Sequence, residues 1–183
     1  MAAECATDPV ENPLWWFAQE FYQRDGVETA LLELQDNWGA DVLLLLAACW
    51  LASEGFEWPR DDDFDTGLRD YEGWRDHVIM PLRQVRRHLP RQDLADFRGQ
   101  VKALELESEQ LGLAGVFSLL SAVEAERWDA DGLLAEDNLA LVLERQLDEQ
   151  QVETVLASEA MEVLLGQIDQ CQIERNDSHN LEQ

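Results

Sequence analysis

The sequence predicts an all-α protein, a single helical bundle with an acidic helical extension at its C-terminal end. Apolar residues recur at intervals of three and four along most of the 183-residue chain, which is the period of an α-helix. No segment shows the sustained alternation of apolar and polar residues that marks a half-buried strand. Glycine, proline and capping residues divide the helical pattern into segments of ordinary length.

The first two helices follow a short N-terminal segment, residues 1–12, for which we expect no ordered structure. Asn12 and Pro13 form a helix start signal, and an aromatic helix follows them. The chain breaks at Gly26, and a second helix with apolar residues at intervals of three and four ends at Gly39. We expect Gly39 to adopt a left-handed conformation there.

The third helix, which Asp41 is expected to cap, is the centre of the predicted bundle. It runs from Val42 to Glu54 and is apolar nearly all round, so it must be covered on several sides. Its uninterrupted apolar run has 11 residues, whereas a membrane-spanning helix needs about 20. The run therefore predicts a buried helix of a protein without a membrane partner.

The middle of the chain predicts a loop around Trp58, a short acidic helix, and then two longer helices. Gly73 separates the acidic helix from the next one, in which Pro81 is expected to cause a kink. The last helix of this group starts near Asp93 and carries an apolar 3-4-3 pattern that includes Phe97. We expect it to pack back on its neighbour as an antiparallel hairpin.

The C-terminal part of the chain differs from the rest in charge. Residues 103–183 contain 19 acidic and 3 basic residues. We predict a bundle core over 13–125, an acidic helical extension over 126–170, and a disordered tail over 171–183. A chain truncated near residue 125 is then expected to stay folded, although the helical periodicity of the extension calls for a surface to pack on.

Several motifs in the first two thirds of the chain resemble those of a known family. Leu34-Gln35-Asp36 is followed by Gly39-Ala40-Asp41-Val42, Leu44-Leu45-Leu46 and Trp50, and later by Pro81-Leu82-Arg83 and Arg86-Arg87. This order resembles an uncharacterised family of small proteobacterial helical proteins, conserved hypothetical proteins with a domain of unknown function, over roughly residues 13–110. The resemblance implies a bacterial cytoplasmic helical protein. It implies no activity, cofactor or catalytic residue.

Composition excludes several classes of function. The chain carries 39 acidic and 13 basic residues, a net charge of −26, which argues against a nucleic-acid partner because phosphate binding requires a basic face. Cys5, Cys49 and Cys171 form no CxxC pair, which favours a reducing compartment. The N-terminus lacks the basic segment of a signal peptide. We expect a cytoplasmic protein without a cofactor.

A cluster of arginines is the main anomaly in this acidic chain. Residues 75–102 contain seven basic and three acidic side chains, and Arg83, Arg86 and Arg87 lie within about one helical turn of each other. They are candidate binding residues because arginine forms bidentate pairs with carboxylates and phosphates. Three interpretations stay open: internal pairing with acids such as Glu105, an acidic protein partner, or a phosphate ligand.

A weak calcium-loop pattern precedes the arginine cluster. Asp61, Asp63, Asp65 and Glu72 occupy positions 1, 3, 5 and 12 of an EF-hand-like loop, but Thr66 stands where the loop requires glycine. The alternative is a set of acids that stabilise the start of a short helix through its dipole. We therefore predict no metal site and keep these residues only as a weak candidate.

Trp58, Gln35 and Asp36 complete the candidate binding residues. Trp58 lies in a loop before Pro59, where an exposed aromatic ring would anchor a partner, and the alternative is a side chain that packs over the bundle.

No GxSxG, HExxH, P-loop or GxGxxG motif occurs, which favours a non-enzymatic protein. The leading hypothesis is an adaptor or regulatory protein that binds another cytoplasmic protein. The alternative is a ligand-binding protein or enzyme with a polar pocket inside the bundle, in which Gln35, Asp36, Asp41 and Arg83 converge.

Overall fold

The computed structural model describes residues 10–123 and 133–181, with side chains as far as Arg175, and it confirms the all-α prediction. The residues that it describes contain no β-strand. The helices are α1 Pro13–Tyr22, α2 Val27–Trp38, α3 Val42–Glu54, α4 Asp62–Trp74, α5 Met80–His88, α6 Ala95–Ala122, α7 Leu134–Glu144, α8 Glu149–Leu156 and α9 Glu159–Leu181. Most of the predicted N-terminal tail, residues 1–9, lies outside the described part.

The chain forms two compact units whose boundaries differ from the predicted division at residue 125. The hairpin unit consists of the chain up to Trp15 and of Arg60–Val123, and the α3 unit consists of Trp16–Pro59 and of the chain from Glu124. The predicted extension therefore does not stand apart from a self-contained core. Its helices belong to the same unit as α2 and α3, because the all-round apolar α3 needs cover that α7 and α9 supply.

Helix α3 is the centre of the α3 unit. Ten of its residues are buried, and it packs against α2, α7 and α9. Leu44, Leu45 and Ala47 have no exposed surface at all. Helix α9 packs against α2 as well as α3, and α8 packs against α7 and α9. The apolar sides of α7 and α9 thus help to bury α3, and α8 packs against these two helices.

The turn between α2 and α3 has the predicted local structure. Gly39 has a φ of 74°, which is the left-handed conformation, and its N–H bonds to carbonyls in the last turn of α2. The carboxylate of Asp41 accepts hydrogen bonds from the N–H groups of Leu43 and Leu44, at 3.0 and 3.4 Å. Both predictions for this turn are therefore confirmed.

The C-terminal segment, predicted as a disordered tail from residue 171, is helical through Leu181. Its first turns are tied to the last turn of α3. The side chain of Gln172 donates to the carbonyl of Ala52, at 2.9 Å, and that of Arg175 donates to the carbonyl of Ser53, at 2.7 Å. Both carbonyls lie in the last turn of α3, and that of Ala52 also accepts from the N–H of Gly55, so α9 adds hydrogen bonds at this end of the helix. Residues 182–183 lie outside the described part.

The hairpin unit is built from two long antiparallel helical segments. One runs through α4 and α5 without a break, joined by a π-helical turn over Arg75–Ile79, and the other is α6. The helix does not end at Gly73, in contrast to the prediction. The π-helical turn ends two residues before Pro81, whose ring and missing N–H disfavour a regular α-helical turn on its N-terminal side.

Candidate protein-interaction surface

Helix α5 has one apolar flank, yet none of its nine residues, all of which the structure describes, is buried. Leu82, Val85 and Leu89 lie along this flank, and Val85 is 47% exposed. An amphipathic helix normally buries its apolar side against another element. The side of α5 that faces α6 is the adjacent one, from which Arg83 and Arg86 pair with Glu105.

Helix α6 carries a second apolar row. Phe97, Leu104 and Leu111 follow one another at intervals of seven residues and are 51%, 53% and 44% exposed. Seven residues are only about 20° short of two turns, so the three side chains lie in line over about 21 Å. Leu106 is equally exposed, at 52%, but lies about 200° away on the other side of α6.

The two rows share one side of the hairpin. On α5 the apolar row lies next to the side of the helix that carries Arg83 and Arg86. On α6 the apolar row lies next to the side that carries Glu105, which pairs with both arginines. Since the two helices are antiparallel, a helical projection turns both flanks to the same side. We call the surface formed by Leu82, Val85, Leu89, Phe97, Leu104 and Leu111 the hairpin surface.

A cavity of about 290 Å³ lies between α4 and α6 at one end of the hairpin surface. Leu111 belongs to the surface and to the cavity wall, which also includes Trp74, Gly115 and Leu119. Gly115 leaves the wall open, since a Cβ there would meet no described atom within 4 Å. The hairpin surface therefore ends in a hole that an apolar side chain can fill.

Charged side chains join α5 to α6 beneath the hairpin surface. The guanidinium Nε of Arg83 donates to Glu105 at 3.1 Å, and Nη2 of Arg86 donates to the same carboxylate at 2.9 Å. Arg83 also pairs with Glu109. Of the three interpretations of the arginine cluster, internal pairing describes Arg83 and Arg86, while Arg87 lies on the exposed side of α5.

Burial and pairing set the ionisation of this cluster. Burial opposes the charged form of Glu105, but the hydrogen bonds from Arg86 and Arg83 outweigh it and lower the pKa of this carboxyl. Burial raises the pKa of Glu109, and the single partner Arg83 offsets it only in part. Glu105 is therefore the carboxylate of α6 that forms ion pairs with both Arg83 and Arg86 of α5.

Trp58, a predicted exposed anchor, is buried, with 3% of its surface exposed. Its loop is fixed by Asn138 of α7, which is also buried. The side-chain oxygen of Asn138 accepts from the N–H of Trp58 at 2.8 Å, and its amide donates to the carbonyl of Phe56 at 3.0 Å. Of the two interpretations of Trp58, the structure therefore agrees with the side chain that packs over the bundle, and Trp58 offers no exposed anchor.

The polar residues assigned to a ligand pocket differ in their exposure and in the groups that they bond to. Asp36 is exposed on α2 and Gln35 is half-buried. Asp41 uses its carboxylate as a helix cap, and Arg83 uses its guanidinium in the ion pairs with α6.

The weak calcium candidate is also wrong, because its residues form a helix rather than a loop. Asp61 caps α4, its carboxylate accepting from the N–H of Phe64 at 2.8 Å. Asp63 and Asp65 lie in the first turn of α4, where residues two apart point about 200° away from each other. The described residues contain no group of three or more potential metal ligands. The acids instead stabilise the positive end of the helix dipole.

The α3 unit has a smaller, polar cavity of about 240 Å³ between α1, α3 and α9. The two arginines that line it form ion pairs with glutamates that line the same cavity. Arg24 pairs with Glu174 at 2.6 Å, and Arg175 pairs with Glu54. A cavity whose charges are satisfied internally offers little to an anionic ligand, and its volume lies below the usual range for ligand sites.

Sequence reasoning found the residues of the hairpin surface but assigned them to the core. Phe97, Leu104 and Leu111 were part of the 3-4-3 pattern expected to pack against the neighbouring helix. Between them, Val101, Glu105 and Ser108 occupy that position and are buried. Val101 and Ser108 on the buried side are also seven residues apart, so the spacing alone does not distinguish the exposed row from the buried one.

A comparison with known families matches the part of the chain that forms this surface. Residues 13–116 match the model of a family described as "Protein of unknown function (DUF2390)". The chain belongs to this family. Neither the curated proteins nor the solved structures gave a match.

The DUF2390 match begins at the first residue of α1 and ends within α6. It therefore contains α5 and all of the hairpin surface, while α7–α9 lie beyond it. Among the helices that the structure describes, none is long and apolar enough to cross a membrane. For this DUF2390 protein, the hairpin surface is the feature whose exposure calls for an explanation.

Proposed function

We propose that this protein is a non-enzymatic bacterial cytoplasmic protein-interaction protein, an adaptor or regulatory protein, and that the hairpin surface is where it binds. The observation that carries the proposal is the exposure of α5. It has the sequence of a packed amphipathic helix, and none of its nine residues is buried. Contiguous exposed apolar surface on a soluble protein usually marks an interaction site.

The chemistry of the surface supports a helical protein segment as the ligand. Its two parallel apolar rows have helical spacing, which suits the packing of another helix between them. The arginines beneath it are neutralised by Glu105 and Glu109, so an apolar partner would not have to desolvate free charge. This differs from the arginine-centred binding that the sequence predicts, because apolar contact now takes the main role.

Two matched variants test the proposal. Leu104→Glu places a charge in the hairpin surface, and Leu106→Glu places the same charge at an equally exposed leucine on the other side of α6. Tagged wild-type protein and both variants are expressed in cells that contain the native partners, and bound proteins are recovered and quantified. We expect Leu104→Glu to lose specific partners and Leu106→Glu to retain them. Equal recovery by both variants would contradict the proposal.

The alternative, a ligand-binding protein or enzyme with a polar pocket, has less support. Its best candidate is the 240 Å³ cavity of the α3 unit, whose arginines already have carboxylate partners. Ligand-dependent stabilisation that disappears in an Arg24→Ala variant would favour this alternative over protein binding.

A further inference from the structure

We infer that the hairpin surface binds a second copy of the same chain, so that two α6 helices pair antiparallel about Leu104. This inference rests on the proposed function and names its partner. The apolar row on α6 is symmetric in sequence about Leu104, with Phe97 seven residues before it and Leu111 seven residues after it. A two-fold axis at Leu104 therefore superimposes the row of one copy on that of the other.

The row also presents a knob and a hole at equal distances from Leu104. Phe97 is a half-exposed aromatic side chain at one end. At the other end, Leu111 forms part of the cavity wall together with Trp74 and Gly115. When the helices pair antiparallel, Phe97 of each copy arrives at Leu111 of the other, at the mouth of its cavity. Aromatic anchors that fill such holes commonly dominate the energy of an interface.

The charges beside the row allow this pairing even though each copy carries −26. Glu107 is the acid next to Leu104 on the exposed edge of α6. In the antiparallel register it falls opposite Gln100 and Val101 of the second copy, away from the second Glu107. Gln100 has an amide that can donate to a carboxylate. Arg83 and Arg86, which lie between the two apolar rows, are neutralised within each copy.

Sedimentation equilibrium of the purified full-length chain tests the association. We expect the wild-type mass to rise with concentration from 20.9 kDa towards twice that value. Leu104→Glu should weaken association at least about a hundredfold, because two charges would be buried at the axis. Leu106→Glu should associate like the wild type. Circular dichroism of both variants confirms that each remains folded.

Disulfide trapping tests the register. In a background with Cys5→Ser and Cys171→Ser, Leu104→Cys should form a disulfide between copies under mild oxidation, because the two positions meet at the axis. Leu106→Cys should form none. A mixture of Phe97→Cys and Leu111→Cys chains should form mixed disulfides in higher yield than either chain alone.

Each outcome decides the inference. A chain that is monomeric at all concentrations, or a dimer that Leu104→Glu leaves intact, would overturn it. Equal trapping at positions 104 and 106 would also overturn it. If the chain is monomeric but Leu104→Glu still loses specific partners from cells, another protein occupies the hairpin surface, and the proposed function stands without this inference.

Discussion

At the scale of single residues, Asp41 holds the start of the most buried helix. Its carboxylate accepts from two N–H groups of α3, and its own N–H donates to the side chain of Gln146 at 2.9 Å. Asp41→Ala should lower the free energy of unfolding by about 0.5–2 kcal/mol, because those N–H groups lose their acceptor. Asp41→Asn retains a capping oxygen and should cost less. Urea unfolding of both variants measures the difference, and an equal loss would contradict the capping role.

Glu105 makes stability depend on pH in a definite direction. Its pKa is lowered in the folded chain, so the stability that it contributes is fully present above the unfolded pKa, about 4.3, and is lost as the pH falls through the folded value. Glu105→Gln should lower stability at pH 7 and make the loss of stability on acidification shallower.

The control for Glu105 is Glu107→Gln, on the exposed side of the same helix. The pKa of Glu109 is raised, so its contribution to stability changes with pH in the opposite direction. All the chains compared contain Glu109, so this contribution is the same in each of them. Thermal unfolding between pH 3 and 7 provides the measurement. A pH profile of Glu105→Gln parallel to the wild type would contradict the ion-pair account.

Residues that act on their near neighbours were predictable from the sequence. The cap at Asp41 and the left-handed Gly39 depend on contacts within a few positions, and both are confirmed. Trp58 was not predictable in this way. Its burial depends on Asn138, which lies 80 residues further along the chain and supplies the hydrogen bonds that close the loop.

At the scale of elements, the side chain of Leu119 on α6 packs directly on Gly67 of α4. A Cβ on Gly67 would lie 2.3 Å from a methyl carbon of Leu119, whereas one on Gly73 would meet nothing within 4 Å. Alanine at an unhindered helical position gains about 0.5–1 kcal/mol over glycine.

Gly73→Ala should therefore stabilise the chain by about that amount, and Gly67→Ala should gain nothing or destabilise it, since Leu119 must move. Urea unfolding of the two variants side by side measures the contrast. Equal stabilisation would show that α4 and α6 are packed less closely than the structure indicates.

The existence of the elements was predictable from periodicity, but their partners were not. The pattern of α6 predicts a helix and an antiparallel hairpin, and both occur. It does not say which of two neighbouring apolar rows faces α5, since Val101 and Leu104 are equally apolar. The row that contains Glu105 and Ser108 faces α5, because Glu105 forms ion pairs with the arginines of α5.

At the scale of the whole molecule, the C-terminal helices complete the core around α3. A chain that ends at Val123 lacks α7 and α9, against which α3 packs. We now expect such a chain to lose cooperative unfolding, because the apolar surface of α3 would be exposed. Differential scanning calorimetry of the truncated and full-length chains tests this. A cooperative transition in the truncated chain would restore the predicted boundary near residue 125.

The boundary predicted from the sequence follows charge, whereas the compact units of the structure follow packing. The change to an acidic composition after residue 103 describes the solvent-facing sides of the helices. The buried sides of α7 and α9 continue the core regardless of that change. Tertiary contacts determine which helices pack together, and no local sequence pattern specifies them.

The central claim is that the hairpin surface contacts another protein chain inside cells, and site-specific photocrosslinking tests it most directly. A photoreactive amino acid replaces Leu104 in one chain and Leu106 in another, two leucines of equal exposure on opposite sides of α6. Irradiation of intact cells should give a discrete crosslinked protein from position 104, either a second copy or a different partner, and little from position 106. Absence of a crosslink at 104, or equal crosslinks at both positions, would contradict the claim.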